Sequence, residues 1–174
     1  LQLGRYGDII NVLPIARDIA KKQGGPIDFI VSKEYAGVLT GCSFVNPLTT
    51  DAPWYNPKTE AEVRRADYNN LIQTQVWGKD YQNHRKQAEH HNDDMWIAAG
   101  YGNRIGKLDW TNVFDKRNPG REKALIEEWV PDRSKPIILL NLSGDTAIFK
   151  EAEQVKAALY NSWEGKATIV DLEN

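Results

Sequence analysis

Residues 1–14 read Leu1-Gln2-Leu3-Gly4-Arg5-Tyr6-Gly7-Asp8-Ile9-Ile10-Asn11-Val12-Leu13-Pro14. An apolar run ends in two glycines and an acid, then passes at once into helical spacing. Through Lys22 the apolar residues Ile9, Val12, Leu13, Ala16, Ile19 and Ala20 recur every three or four positions, the period of a helix with one buried face. Gly24-Gly25 stops that helix, and Pro14, inside it, is expected to kink it. A strand at Ile27–Val31 follows, then a short helix from Lys33 closed by Gly41, then an extended piece over Ser43–Leu48. Strand, helix, strand, helix, strand in under fifty residues is the rhythm of a parallel, doubly wound sheet. The fold class expected is α/β, with a Rossmann-like parallel sheet.

Further along, a polar helix is expected over Thr59–Ala66, a strand over Leu71–Gln75, a helix over Asn83–Tyr101 and another over Arg121–Val130. Asn118-Pro119-Gly120 marks the start of the last of these. Polar residues between Pro131 and Pro136 read as a linker, 131–135. The opening rhythm then returns: a strand from Ile137, a Gly-Asp turn, a helix from Phe149 and a strand ending at Leu172. The expected organisation is one Rossmann-like domain over 1–130 and the beginning of a second over 136–174. The chain opens on Leu1 with a strand that looks cut short, so residues are expected to be missing in front and more behind.

The totals narrow the function. Among 174 residues, 22 are Lys or Arg and 24 are Asp or Glu, a net charge of −2. No field of either sign favours nucleic acid or an anionic membrane surface. One cysteine, Cys42, supports neither a disulfide framework nor a cysteine metal cluster. The longest apolar runs are far too short to span a bilayer, and a reducing, cytoplasmic setting fits.

Open parallel sheets bind ligands beyond the carboxyl ends of their strands, where both Gly-Asp turns fall: Gly7-Asp8 and Gly144-Asp145. Neither GxGxxG nor GxxxxGK[ST] is present, which argues against a dinucleotide fingerprint and a P-loop. Asp8 has two readings. It is a good helix N-cap, and the positive helix end favours its carboxylate; it is also a candidate general base for a substrate hydroxyl. Arg5, Tyr6 and Gly7 share its turn, Arg5 as a candidate anion holder. At the second turn Ser143, Gly144, Asp145 and Thr146 offer hydroxyls and N–H groups to a phosphate, with Lys150 as a nearby charge. The alternative is an ordinary capped helix. Gln73 and Gln75 alternate at a strand end, either as hydrogen-bonders to a ligand or simply on the less buried face. His84, His90 and His91, followed by Asn92-Asp93-Asp94, read as a solvated face rather than a metal site, and no metal is expected. Trp96, Trp129 and Trp163 sit in helical patterns and are expected in the core. Trp54 and Trp77 sit in loops where a sugar or base could stack on them.

These stretches resemble the N-terminal domain of the ADP-heptose:lipopolysaccharide heptosyltransferase family. Gly7, Asp8, Ile9, Leu13 and Pro14 match its Gly-Asp…Pro pattern in order, and residues 135–150 are similar to the strand and turn that open its second domain. The usual Trp-Pro after that turn is replaced here by Phe149-Lys150-Glu151. The resemblance implies a GT-B glycosyltransferase, inverting and metal-independent, that moves a heptose-like sugar from a nucleotide-diphosphate donor, an ADP-sugar, to a saccharide acceptor. By that likeness Asp8 is the base, Arg5, Tyr6, Gly7, Gln73 and Gln75 lie toward the acceptor, and Ser143–Thr146 with Lys150 hold the donor diphosphate. A lipid-linked acceptor would bring peripheral membrane contact. The alternative from another class is a non-catalytic nucleotide- or sugar-binding module of a larger assembly. A nucleotide-sugar epimerase is a weaker third reading, for want of a paired acid or histidine across a cleft.

Overall fold

The computed structural model describes residues 1–76, 91–130, 132–142 and 150–172. It is mixed α/β and divides into two compact units, Leu1–Arg117 and Asn118–Asn174. The sequence reading put the boundary at 131–135; the helix before that linker groups with the second unit.

In the first unit, α1 (Tyr6–Gln23) leads to β1 (Ile27–Ser32), a 3₁₀ helix (Lys33–Gly41) and β2 (Val45–Thr50). α2 (Pro57–Arg64) and α3 (His91–Ala98) follow. α1 ends where Gly24 turns left-handed at φ 79, its N–H donating to the Ala20 carbonyl at 3.0 Å, a conformation that glycine adopts without a Cβ penalty. Pro14 lies inside α1, fully buried, and does not end it. Its missing N–H forfeits one helical bond, and burial of the flanking Val12, Leu13, Ile15 and Ala16 holds the helix through that point.

β1 and β2 pair in parallel, Ile27 opposite Val45 through Ser32 opposite Thr50. Pro47 is tolerated in β2 because a proline lacks a donor only a central strand would need. The expected strands at 1–3 and 71–75 are extended chain rather than regular strands, yet they extend the layer. Gln2 N donates to Ile30 O at 3.0 Å, Leu1 N to Ile72 O at 2.6 Å, and Thr74 N to Leu1 O at 3.1 Å. One residue bonding to two positions that straddle its neighbour is the parallel pattern. Residues 1–3 thus lie between β1 and residues 72–74. α1 buries Ile9, Val12, Leu13, Ile15 and Ala16 in a core shared with Phe29, Val31, Leu39, Phe44, Met95 and Trp96.

The second unit comprises α4 (Pro119–Trp129), β3 (Ile137–Leu140), α5 (Ala152–Trp163) and β4 (Thr168–Asp171), with β3 and β4 parallel. Asn118 caps α4, its side chain accepting from Arg121 N at 3.0 Å. Trp129 and Trp163, expected in the core, are instead 46% and 42% exposed. Two described strands offer too little sheet to cover both helices; Val130, Leu140 and Val170 are its buried hydrophobics. Trp96 is buried as expected. No helix among the described residues is long and apolar enough to cross a membrane.

Candidate functional site

Because residues 1–3, β1 and β2 run in parallel, the turns that follow them share one edge of the layer. These are Gly4–Asp8, Lys33–Tyr35 and Asp51–Tyr55. Asp8 is the third residue of α1, not its cap; Arg5, extended at φ −71 and ψ 176, occupies the cap position. Helix geometry reaches back to Tyr6 because an acid is as favourable within the first turn as at the cap. The Asp8 side chain folds back over Gly4. A β-carbon at residue 4 would lie 2.4 Å from Asp8 Oδ2 and 2.8 Å from Asp8 Cβ. Gly4 is therefore the glycine this turn requires, and the space its missing side chain leaves is filled by Asp8. Gly7 is exposed and has nothing near its absent β-carbon.

Arg5 and Tyr6 are exposed beside Asp8. Tyr6 meets the ring of Tyr35 edge-on, with centroids 5.1 Å apart, and its hydroxyl donates to the Glu34 carbonyl at 3.4 Å. Desolvation, then the charge of Glu34, pushes the Tyr35 hydroxyl above the ordinary phenol value, with Arg5 opposing.

Gln75 is 6% exposed, and both ends of its amide are engaged inside the protein. Its Oε1 accepts from Leu3 N at 2.7 Å and its Nε2 donates to the Trp54 carbonyl. Ser32 reinforces the join, its hydroxyl donating to Leu3 O at 3.1 Å and lying 3.5 Å from Ala52 O. Gln73 Nε2 donates to Gln75 O at 2.8 Å. Ser143, Gly144, Asp145 and Thr146 lie outside the described residues, as do Trp77, His84 and His90; Lys150 is an exposed turn residue.

Sequence reasoning missed Asp94. Expected on a solvated face, it is fully buried, and among the described residues neither carboxylate oxygen has a hydrogen-bond partner. The flanking residues of α3 are tied inward: Gln2 Nε2 to Met95 Sδ at 3.1 Å, and Trp96 Nε1 to Asn11 O at 3.1 Å. No alternation signal separates the buried Asp94 from the half-buried Asp93 at the start of a helix. Ser32 was missed as well, because a small hydroxyl at a strand end carries no pattern.

A cavity of ≈ 560 Å³ lies at the other end of these elements, against Ile19, Lys22, Ile27, Asp28, Tyr68 and Leu71. Its lining mixes apolar with polar and charged side chains, and the Asp8 turn does not line it. Among the described residues no group of three His, Cys, Asp or Glu side chains could hold a metal ion. No protein-family model, curated protein or solved structure matches the chain.

Proposed function

We propose that this chain carries the acceptor-side domain of an inverting, metal-independent glycosyltransferase, with Asp8 as general base. The observation that carries the reading is the Gly4–Asp8 packing: a carboxylate seated over a required glycine at the carboxyl end of a central extended segment. That is where open parallel sheets bind ligands. The order β2, β1, residues 1–3, residues 72–74, with parallel bonding between neighbours, supports a Rossmann-like sheet.

In the proposed reaction the acceptor hydroxyl oxygen attacks the anomeric carbon of an ADP-sugar as its proton passes to the Asp8 carboxylate. The bond from the anomeric carbon to the diphosphate oxygen breaks, the electron pair leaves on the diphosphate, and the configuration inverts. Arg5, Tyr6 and Gly7 border the acceptor, and Gln73 is assigned to the acceptor side with them. Gln75 supports that edge from within. Ser143–Thr146 and Lys150 take the donor diphosphate. The setting is cytoplasmic, where nucleotide sugars are made, and a lipid-linked acceptor accounts for any membrane contact.

The test is Asp8→Asn, which keeps the shape and removes the base. Release of ADP from ADP-heptose in the presence of lipopolysaccharide core acceptor should fall by on the order of 10²–10⁴, the usual contribution of a positioned base. An Asn variant as fast as the parent chain would remove Asp8 from the chemistry. A parent chain that binds both substrates without turnover would make this a binding module.

A further inference from the structure

We propose that Trp54 and Tyr55 form a stacking platform for a pyranose ring, and that Gln75 is the positioning residue that holds this platform beside the Asp8 turn. The proposal deepens the transferase reading, since the ring would belong to the acceptor. The two rings meet edge-on, with centroids 5.8 Å apart and planes at 83°. Trp54 is 36% and Tyr55 55% exposed. Such a corner offers an apolar floor, which suits the C–H face of a sugar ring.

The backbone that carries the pair is anchored on both sides. Pro53 precedes it and Pro57 opens α2 behind it. The turn between them is closed by Asn56 N donating to Pro53 O at 2.9 Å. Buried Gln75 grips the Trp54 carbonyl with one end and Leu3 N with the other, so the platform and the residue before Gly4 share one amide. Ser32 makes the second join, between Leu3 and Ala52. A backbone already anchored loses little freedom when a ligand settles on the rings it carries. From Asp51 to Pro57 the turn carries one acid and no base, which favours a neutral polyhydroxylated ring over a phosphate.

The experiment is saturation-transfer NMR on the full chain with three probes: lipopolysaccharide core oligosaccharide, maltotriose and ADP. Transfer is expected to the ring C–H protons of at least one saccharide. Trp54→Ala and Tyr55→Ala should each weaken it roughly tenfold, about 1.4 kcal/mol, while Tyr55→Phe should retain it. Gln75→Glu keeps the acceptor for Leu3 N but loses the donor to Trp54, so it should weaken saccharide binding with the circular dichroism spectrum unchanged. Asp8→Asn should leave transfer intact, which separates the platform from the catalytic reading: loss of turnover without loss of saturation transfer supports both. Unaltered transfer in folded Trp54→Ala and Tyr55→Ala variants overturns the platform. So does transfer to ADP alone, or to none of the three probes. Unaltered transfer in a folded Gln75→Glu variant overturns the positioning role.

Discussion

Gly4 and Asp8 compete for one volume. The side chain that residue 4 lacks would meet Asp8 Oδ2 at 2.4 Å, Cβ at 2.8 Å and Cγ at 3.0 Å. Since two of those atoms lie close to the Asp8 backbone, the clash cannot be relieved by swinging a flexible tip. Gly4→Ala should therefore displace the carboxylate and cost about 1–3 kcal/mol, the range for an overpacked site. In an Asp8→Gly background the same change should cost much less, a coupling that a double-mutant cycle by urea unfolding measures directly. Equal costs in both backgrounds would mean that the two residues do not share the space.

Asp94 sets up the opposite kind of prediction. It is fully buried and neither oxygen has a hydrogen bond among the described residues, and an unsatisfied buried polar group costs roughly 1–3 kcal/mol. Asp94→Leu, close in volume and without a charge, should raise the urea midpoint. A lower midpoint would show that the carboxylate has a stabilising partner in solution.

Asp18 governs part of the acid response. It accepts from Tyr101 Oη at 3.0 Å and pairs with Lys22 Nζ at 2.6 Å, with Arg104 at 3.6 Å. Desolvation pushes its acid strength down, but the bonds from Lys22 and Tyr101, and then the charges of Lys22 and Arg104, outweigh this and hold it below the ordinary 3.8. A lowered folded value stabilises the protein above the unfolded value and loses that stabilisation as pH falls through the folded one. Thermal stability of the parent chain should thus decline below about pH 4. Asp18→Asn should cost roughly 1–2 kcal/mol at neutral pH and flatten that acid limb. Asp109, Asp115 and Asp132, also held low, should leave a residual slope.

Cys42 should report global opening. It is fully buried, its thiol donates to Val113 O at 3.2 Å, and desolvation, with the Asp115 charge adding, pushes it up to about 11. The thiolate is the reactive form, so a disulfide reagent at mildly alkaline pH should modify the folded chain only as fast as it unfolds. Rapid labelling without urea would contradict the burial.

The periodic parts of this fold were legible. α1 follows from Ile9, Val12, Leu13 and Ala16 on one face, and its stop follows from Gly24; β1, the 3₁₀ helix, β2 and the β3–α5–β4 pattern were likewise readable. What escaped depends on partners far away in sequence. Residues 1–3 and 71–75 look like ordinary strands, and only their mutual bonds show that they are extended pieces without a full ladder. Gln75 alternates like a surface residue, but Leu3 and Trp54, at separations of 72 and 21 residues, claim both ends of it. Trp129 and Trp163 satisfy a helical period, but a period shows which face is apolar and not whether enough sheet exists to cover it. For the candidate site, the Gly4–Asp8 turn was visible as a motif, while its supports, Gln75 and Ser32, were not.

The central place of residues 1–3 also dictates when this unit can form. Their flanks come from β1 on one side and from residues 72–74 on the other, and the Thr74 hydroxyl bond to Leu1 O closes across 73 residues. Such contacts yield no gain until a long loop has already been closed. α1 and the β1–β2 pair can gather locally, but Leu1 and Leu3 are covered only when the later segment arrives. Refolding should therefore end in a slow, cooperative step in which the floor beneath Asp8 and the mounting of Trp54 are completed together, so that no partly folded state has one without the other.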